Sequence, residues 1–152
     1  MELKSEPSAE LLSAIEYSLI VYQSLFMQAG INEEKTQSAL VLDANLPESQ
    51  IALQILTRTV KVVTLAYTLD QFDNKTVLKE GFPSSHMIFT PTEKLLNKAT
   101  EISCGLGFDL ILDYGGEFSA NKRTILKLCG PFARIITTAK DLQIDPPETE
   151  LL

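Results

Sequence analysis

The chain has 152 residues, 45% of them hydrophobic, which is enough for one domain with a real core and too little for two ordinary ones. Thirteen basic residues against twenty acidic ones leave a net charge of −7, which opposes direct binding to nucleic acid, because no basic face would displace counterions from a phosphate backbone. No apolar stretch reaches the ~20 residues that span a bilayer, and Met1-Glu2-Leu3-Lys4 lacks the charged-then-apolar order of a signal peptide. A cytoplasmic domain without membrane insertion is expected.

Cys104 and Cys129 are too far apart for a redox pair and too few for a metal cage, so both read as small buried apolar side chains. His86, the sole histidine, is expected at a strand start. Neither a metal site nor a Ser-His-Asp triad is therefore expected.

The first helix is expected to begin near Pro7-Ser8 and to end at Gly30. Within it Leu11, Ile15, Leu19, Tyr22 and Phe26 recur at spacings of three and four, which predicts one stripe facing the core. A helix lying on anionic lipid is the alternative, opposed by Glu10 and Glu16 and by the lack of basic residues along the helix after Lys4.

Residues 38–59, SALVLDANLPESQIALQILTRT, organise the rest. Ala39-Leu40-Val41-Leu42 is a short continuous apolar run, as a parallel strand covered on both faces requires. A turn follows, and then Ile51, Ala52, Ile55 and Leu56 share one helical face. The β-branched run over residues 60–66 predicts a second strand, and a βαβ unit results. In a nucleotide-binding α/β domain this turn would be the phosphate loop, but Asp43-Ala44-Asn45-Leu46-Pro47-Glu48-Ser49 contains no glycine. Asn45 followed by Glu48 reads instead as a capping-box-like pair that satisfies the helix end internally.

Residues 69–81 read as weakly helical and His86-Met87-Ile88-Phe89 as a third strand. Thr90-Pro91-Thr92-Glu93 is a helix start, and the helix runs through Leu95, Leu96, Ala99 and Ile102 until Gly105 and Gly107 stop it. Residues 108–113 form a fourth strand that ends at the turn Tyr114-Gly115-Gly116. Ile125, Leu126 and Leu128 mark another helix, and Gly130-Pro131 leads into a fifth strand, Ala133 to Thr138. Alternation at this spacing predicts an α/β fold, a doubly wound Rossmann-like parallel sheet with helices on both faces and strand order 3-2-1-4-5. Residues 1–139 form the domain in this reading, and residues 140–152 an extended acidic C-terminal tail that ends where a sixth strand would start. Asp109 and Asp113, four residues apart on one strand and so ~13 Å from each other, are too distant to act as paired carboxylates.

Several segments carry a resemblance: Val21-Tyr22-Gln23-Ser24-Leu25-Phe26, Ala39 to Leu42, Ile51-Ala52-Leu53-Gln54-Ile55-Leu56, Val60 to Ala66, Gly105-Leu106-Gly107-Phe108-Asp109-Leu110-Ile111-Leu112-Asp113 and Asp141-Leu142-Gln143-Ile144-Asp145-Pro146-Pro147. In this order they resemble the coenzyme domain of medium-chain dehydrogenase/reductases of the zeta-crystallin-like quinone oxidoreductase branch. The resemblance covers nearly the whole chain but only the middle portion of a family member, whose partly open β-barrel has no counterpart here. It implies NADPH as cofactor and quinone reduction as chemistry. The turn departs from it, because the family's glycine positions hold Asp43, Leu46, Pro47 and Ser49. Side chains fill the space, Pro47 removes an amide donor, and Asp43 and Glu48 would repel a pyrophosphate. After the second strand no Arg or Lys offers itself to a 2′-phosphate, and Asp70 stands late for a ribose.

The expectation is therefore a vestigial cleft, bordered by Asp43, Asn45, Leu46, Pro47, Glu48, Ser49, Tyr67, Asp113, Tyr114 and Gly115, with no cofactor, no catalytic residue and no metal. Such a pseudoenzyme domain would serve as a protein-interaction or structural module, with partners meeting the fifth-strand edge from Ala133 to Thr138. The resemblance further implies a subunit of an endosomal Rab-effector complex linked to messenger RNA, held on early endosomes through its partners. The alternatives are a fragment of an NAD(P)H-dependent quinone oxidoreductase and a small-ligand sensor that reuses the cleft.

Overall fold

The computed structural model describes residues 8–32, 36, 38–60, 62–67, 87–88 and 92–140. The expected helix over 69–81, His86, Phe89, Thr90, Pro91 and the tail from 141 onward lie outside the described residues. The elements are helix α1 (Ala9–Tyr22), β1 (Ser38–Val41), α2 (Pro47–Gln54), β2 (Val63–Tyr67), β3 (Met87–Ile88), α3 (Thr92–Ile102), β4 (Phe108–Asp113), α4 (Phe118–Leu128) and β5 (Cys129–Thr137).

All strand pairs are parallel, and the order is β3-β2-β1-β4-β5. The four longer strands run β2-β1-β4-β5, with two-residue β3 beside β2. This is the doubly wound order expected from the alternation of strands and helices. β1 is central and buried at every position, which is why its sequence is a continuous apolar run and not an alternating one. Its successive side chains feed two cores. Ala39 and Val41 join Val21, Leu25, Ala52 and Leu56 on the face covered by α1 and α2, and Leu40 and Leu42 join Leu65, Leu95, Phe108 and Ile125 on the face covered by α3 and α4. Burying side chains such as Leu40 and Phe108, both fully enclosed, stabilises the domain by about 1.5–3 kcal/mol each.

Four expectations are corrected. The stripe of α1 faces outward: Leu11, Ile15, Leu19 and Tyr22 are at least half-exposed and Phe26 more than a third, whereas Val21, Ser24 and Leu25 face the core. Sequence periodicity identifies an apolar face without saying what covers it, and α1 has two. Second, α1 and α2 both continue as π-helical turns, Gln23–Gln28 and Ile55–Thr59, so β2 begins at Val63 and not at residue 60. Third, β5 starts at Cys129, because Gly130 and Pro131 continue the strand instead of turning into it. The register shifts between Phe108 and Leu110, and Phe132 sits at φ 60°. A Cβ on Gly107 would lie 2.5 Å from the Gly130 nitrogen, so glycine lets β4 and β5 converge at this bulge. Fourth, Cys104 is exposed at φ 54° beyond the end of α3. Cys129 is partly buried, and burial pushes its thiol up to about 11.

Candidate functional site

The crossover from β1 to β2 runs over one face of the sheet and that from β4 to β5 over the other, so a crevice opens at the carboxyl ends of β1 and β4. Two turns form its mouth, residues 42–46 after β1 and 114–117 after β4.

In the first turn Asp43 adopts φ 48°, the left-handed conformation that glycine accepts freely and that aspartate tolerates better than most residues. The Ala44 amide donates to the Tyr67 carbonyl at 2.9 Å and the Leu46 amide to the Asp43 carbonyl at 3.0 Å, so the turn is tied to β2 and to itself. The N-cap of α2 is Leu46, with Pro47 at the first helical position and no side chain capping the end. This corrects the Asn45–Glu48 capping pair: the helix starts one residue later than that pair requires. Ser49, fully buried, turns its hydroxyl back to the Leu42 carbonyl at 3.2 Å. Tyr67 is buried at the end of β2.

The second turn is organised by Asp113, which is fully buried. Its carboxylate accepts from the Glu117 amide at 2.8 Å, the Phe118 amide at 2.8 Å and the Thr137 hydroxyl at 2.6 Å. A buried charge is tolerated when several donors meet it, and these three fasten the start of α4 and the end of β5 to β4. Asp113 is thus a structural anchor and not a free pocket acid. Tyr114 shares a 2.5 Å hydrogen bond with Ser24, whose own hydroxyl donates to the Val21 carbonyl at 2.9 Å. With that proton committed, the phenol is the donor to Ser24. Burial, reinforced by the Glu48 charge, pushes the phenol up to about 12.

Between the turns lies an acid pair that the sequence reading did not single out. A Cβ on Gly115 would fall 1.8 Å from Asp43 Oδ2, so the Asp43 carboxylate lies directly over the second turn. There it meets Glu117, whose carboxyl is pushed up to about 8, first by burial, then by the hydrogen bond with Asp43, then by the charges of Asp43 and Asp113. Glu117 therefore holds its proton near neutral pH and donates it to Asp43. The available signal was Glu117 four residues beyond the strand-ending Asp113, the spacing at which a helix start returns to a strand end. Glu117 also borders a cavity of ≈ 30 Å³ with Leu42, Tyr67, Leu95, Asn121 and Thr124, about the share of one water. Among the described residues no cluster of His, Cys, Asp or Glu could hold a metal, and no helix is long and apolar enough to cross a membrane.

A dinucleotide's pyrophosphate needs free amides and glycines at the first turn, with positive potential around them. Here Pro47 has no amide hydrogen, Leu46 occupies the cap, and Asp43, Glu48 and Asp113 surround the mouth. The residues present do not fit that group. What the mouth holds instead is the Asp43 carboxylate lying over the second turn, close to Glu117.

No family profile matches the chain, and no curated protein sequence does. Solved structures share its fold. A mycobacterial protein solved with NADPH superposes with a TM-score of 0.74 at 14% identity, over 99% of this chain and 46% of its own. The CurK enoyl reductase gives 0.73 at 19%, over 97% and 42%. A putative NADPH:quinone reductase from Bacillus thuringiensis gives 0.68 at 16%, over 89% and 39%. The chain thus spans about two fifths of the length of the structures it resembles, and what it shares with them is a Rossmann-like fold.

Proposed function

We propose that the chain is the coenzyme-domain portion of a protein of the medium-chain dehydrogenase/reductase type, with its nucleotide mouth closed, so that the domain acts as a non-catalytic interaction module. The observation that carries the reading is the glycine-free turn, in which Pro47 removes an amide donor at the start of α2 and the Asp43 carboxylate lies over the facing turn, beside Glu117. Calorimetric titration with NADPH and NADH tests it: no binding is expected at micromolar concentrations, and micromolar binding of either would overturn it. The sequence segments 105–113 and 141–147 support a finer likeness, to quinone oxidoreductase-like protein 1. With it comes a place in an endosomal Rab-effector complex linked to messenger RNA, peripheral on early endosomes through partners. β5 is a sheet edge paired on one side only among the described residues, which supports partner docking along Ala133 to Thr138 by strand addition. Charge substitutions on that edge are expected to abolish co-purification with a partner, and an unchanged complex would exclude edge pairing.

The fold shared with the mycobacterial protein solved with NADPH favours a second reading, in which the chain is part of an active NAD(P)H-dependent quinone oxidoreductase. The same titration decides between the two.

A further inference from the structure

The outward face of α1 is a second apolar surface that the sheet does not use. Leu12, Ile15, Leu19, Tyr22 and Phe26 follow one another at spacings of three, four, three and four, the seam that lets one helix pack along another. Leu19 is 60% exposed and Met27 72%, and Leu11, Ile20 and Met27 widen the stripe. The Tyr22 and Phe26 rings pack against each other at this end of the seam, with centroids 5.1 Å apart. With eight large apolar side chains exposed side by side, the patch is on the order of several hundred Å², the scale of one partner's share of a protein interface. Ordinary monomers rarely expose more than a few hundred Å² in one patch.

Charge selects the occupant. Between residues 8 and 32 the chain carries Glu10 and Glu16 and no basic residue, and the whole molecule carries −7. A second copy would bring the same charges, and an anionic bilayer would repel the helix. We infer that the outer seam of α1 docks an amphipathic helix of a partner protein, apolar at three-four spacing and bearing Lys or Arg at its flanking positions. Glu16 adjoins the middle of the seam and sets the preference for basic flanks.

The test uses the full chain and labelled helical peptides of about three heptads, with Leu on the seam and either Lys or Glu on the flanks, together with a Lys peptide of scrambled spacing. Fluorescence anisotropy is expected to show the Lys-flanked peptide binding about tenfold more tightly than the Glu-flanked one, with the scrambled peptide weaker still. Replacing both Ile15→Glu and Leu19→Glu should weaken binding by about tenfold or more. Glu16→Lys, an exposed change that leaves the seam intact, should erase or reverse the flank preference. Equal binding of all three peptides, or an unchanged preference in Glu16→Lys, overturns the proposal. So does a doubled mass of the chain alone at micromolar concentration by sedimentation, which would assign the face to a second copy, or flotation with phosphatidylserine vesicles, which would assign it to lipid.

Discussion

Removing the titrating proton of Glu117 while keeping its hydrogen bond should flatten the pH dependence of stability. In the folded chain the Glu117 carboxyl is raised from 4.5 to about 8, so the folded state binds a proton that the unfolded state releases above pH ~4.5. The stability it contributes is fully present below pH ~4.5 and is lost as pH rises through about 8. At ~1.36 kcal/mol per pH unit, that span would be worth roughly 4–5 kcal/mol in an enclosed site. Glu117 is partly exposed, and solvent screening reduces this to about 1–2 kcal/mol. Glu117→Gln supplies an amide donor to Asp43 that never ionises. Urea unfolding at intervals from pH 5 to 8.5 should show the wild-type midpoint falling with pH relative to the variant, with the variant more stable by about 1–2 kcal/mol at pH 8.5. The other acids titrate in both proteins, so the difference isolates Glu117. Parallel curves would refute the shared proton.

Gly115→Ala places a Cβ against the Asp43 carboxylate and should cost about 1–3 kcal/mol by chemical denaturation, while lowering the pH at which Glu117 titrates, read by carboxyl NMR. Tyr114→Phe leaves Ser24 bonded to the Val21 carbonyl and should cost about 1 kcal/mol, whereas Ser24→Ala strands a buried phenol and should cost about 1–3 kcal/mol; equal losses would contradict the donor assignment. Asp113→Ala removes the acceptor of three hydrogen bonds and should cost about 3–5 kcal/mol, with loss of amide-exchange protection at the start of α4.

The sheet was legible because its signals are local. β1, buried on both faces, has to be continuously apolar, and β4 between Gly107 and the Tyr114 turn coincides with its expected bounds. What misled the reading of β2 was the π-helical end of α2: Val60 and Val62 have strand-forming side chains, yet both are buried at the junction, their amides bonded back to Ile55 and Leu56. The outward stripe of α1 was visible as a pattern, but its direction depends on the opposite face, where Val21, Ser24 and Leu25 are set by Tyr114, ninety residues away. The absence of a glycine turn could be read directly. The Glu117–Asp43 contact could not, because it joins two turns that only the adjacency of β1 and β4 brings together.

The closure of the mouth has a physical logic beyond missing glycines. A turn built for pyrophosphate leaves helix amides unsatisfied until an anion arrives, and in α2 that cost is reduced: Pro47 has no amide hydrogen to leave unsatisfied, and the Leu46 amide is bonded to the Asp43 carbonyl at 3.0 Å. Across the crevice, Asp113 occupies the amides at the start of α4 in the same way. The start of α4 is thereby provided for by the chain itself, and the start of α2 presents one amide fewer than a phosphate-binding helix would. The carboxyls left between them then repel anions and retain a proton. Restoring a phosphate site would accordingly take more than glycines. A variant with Leu46→Gly and Pro47→Gly would free the turn yet still present Asp43 and Glu48 to the phosphates. Only when Asp43→Gly and Glu48→Gln are added should NADPH binding become measurable by calorimetry. Binding by the two-glycine variant alone would show that the backbone, and not the charge of the mouth, excludes the nucleotide.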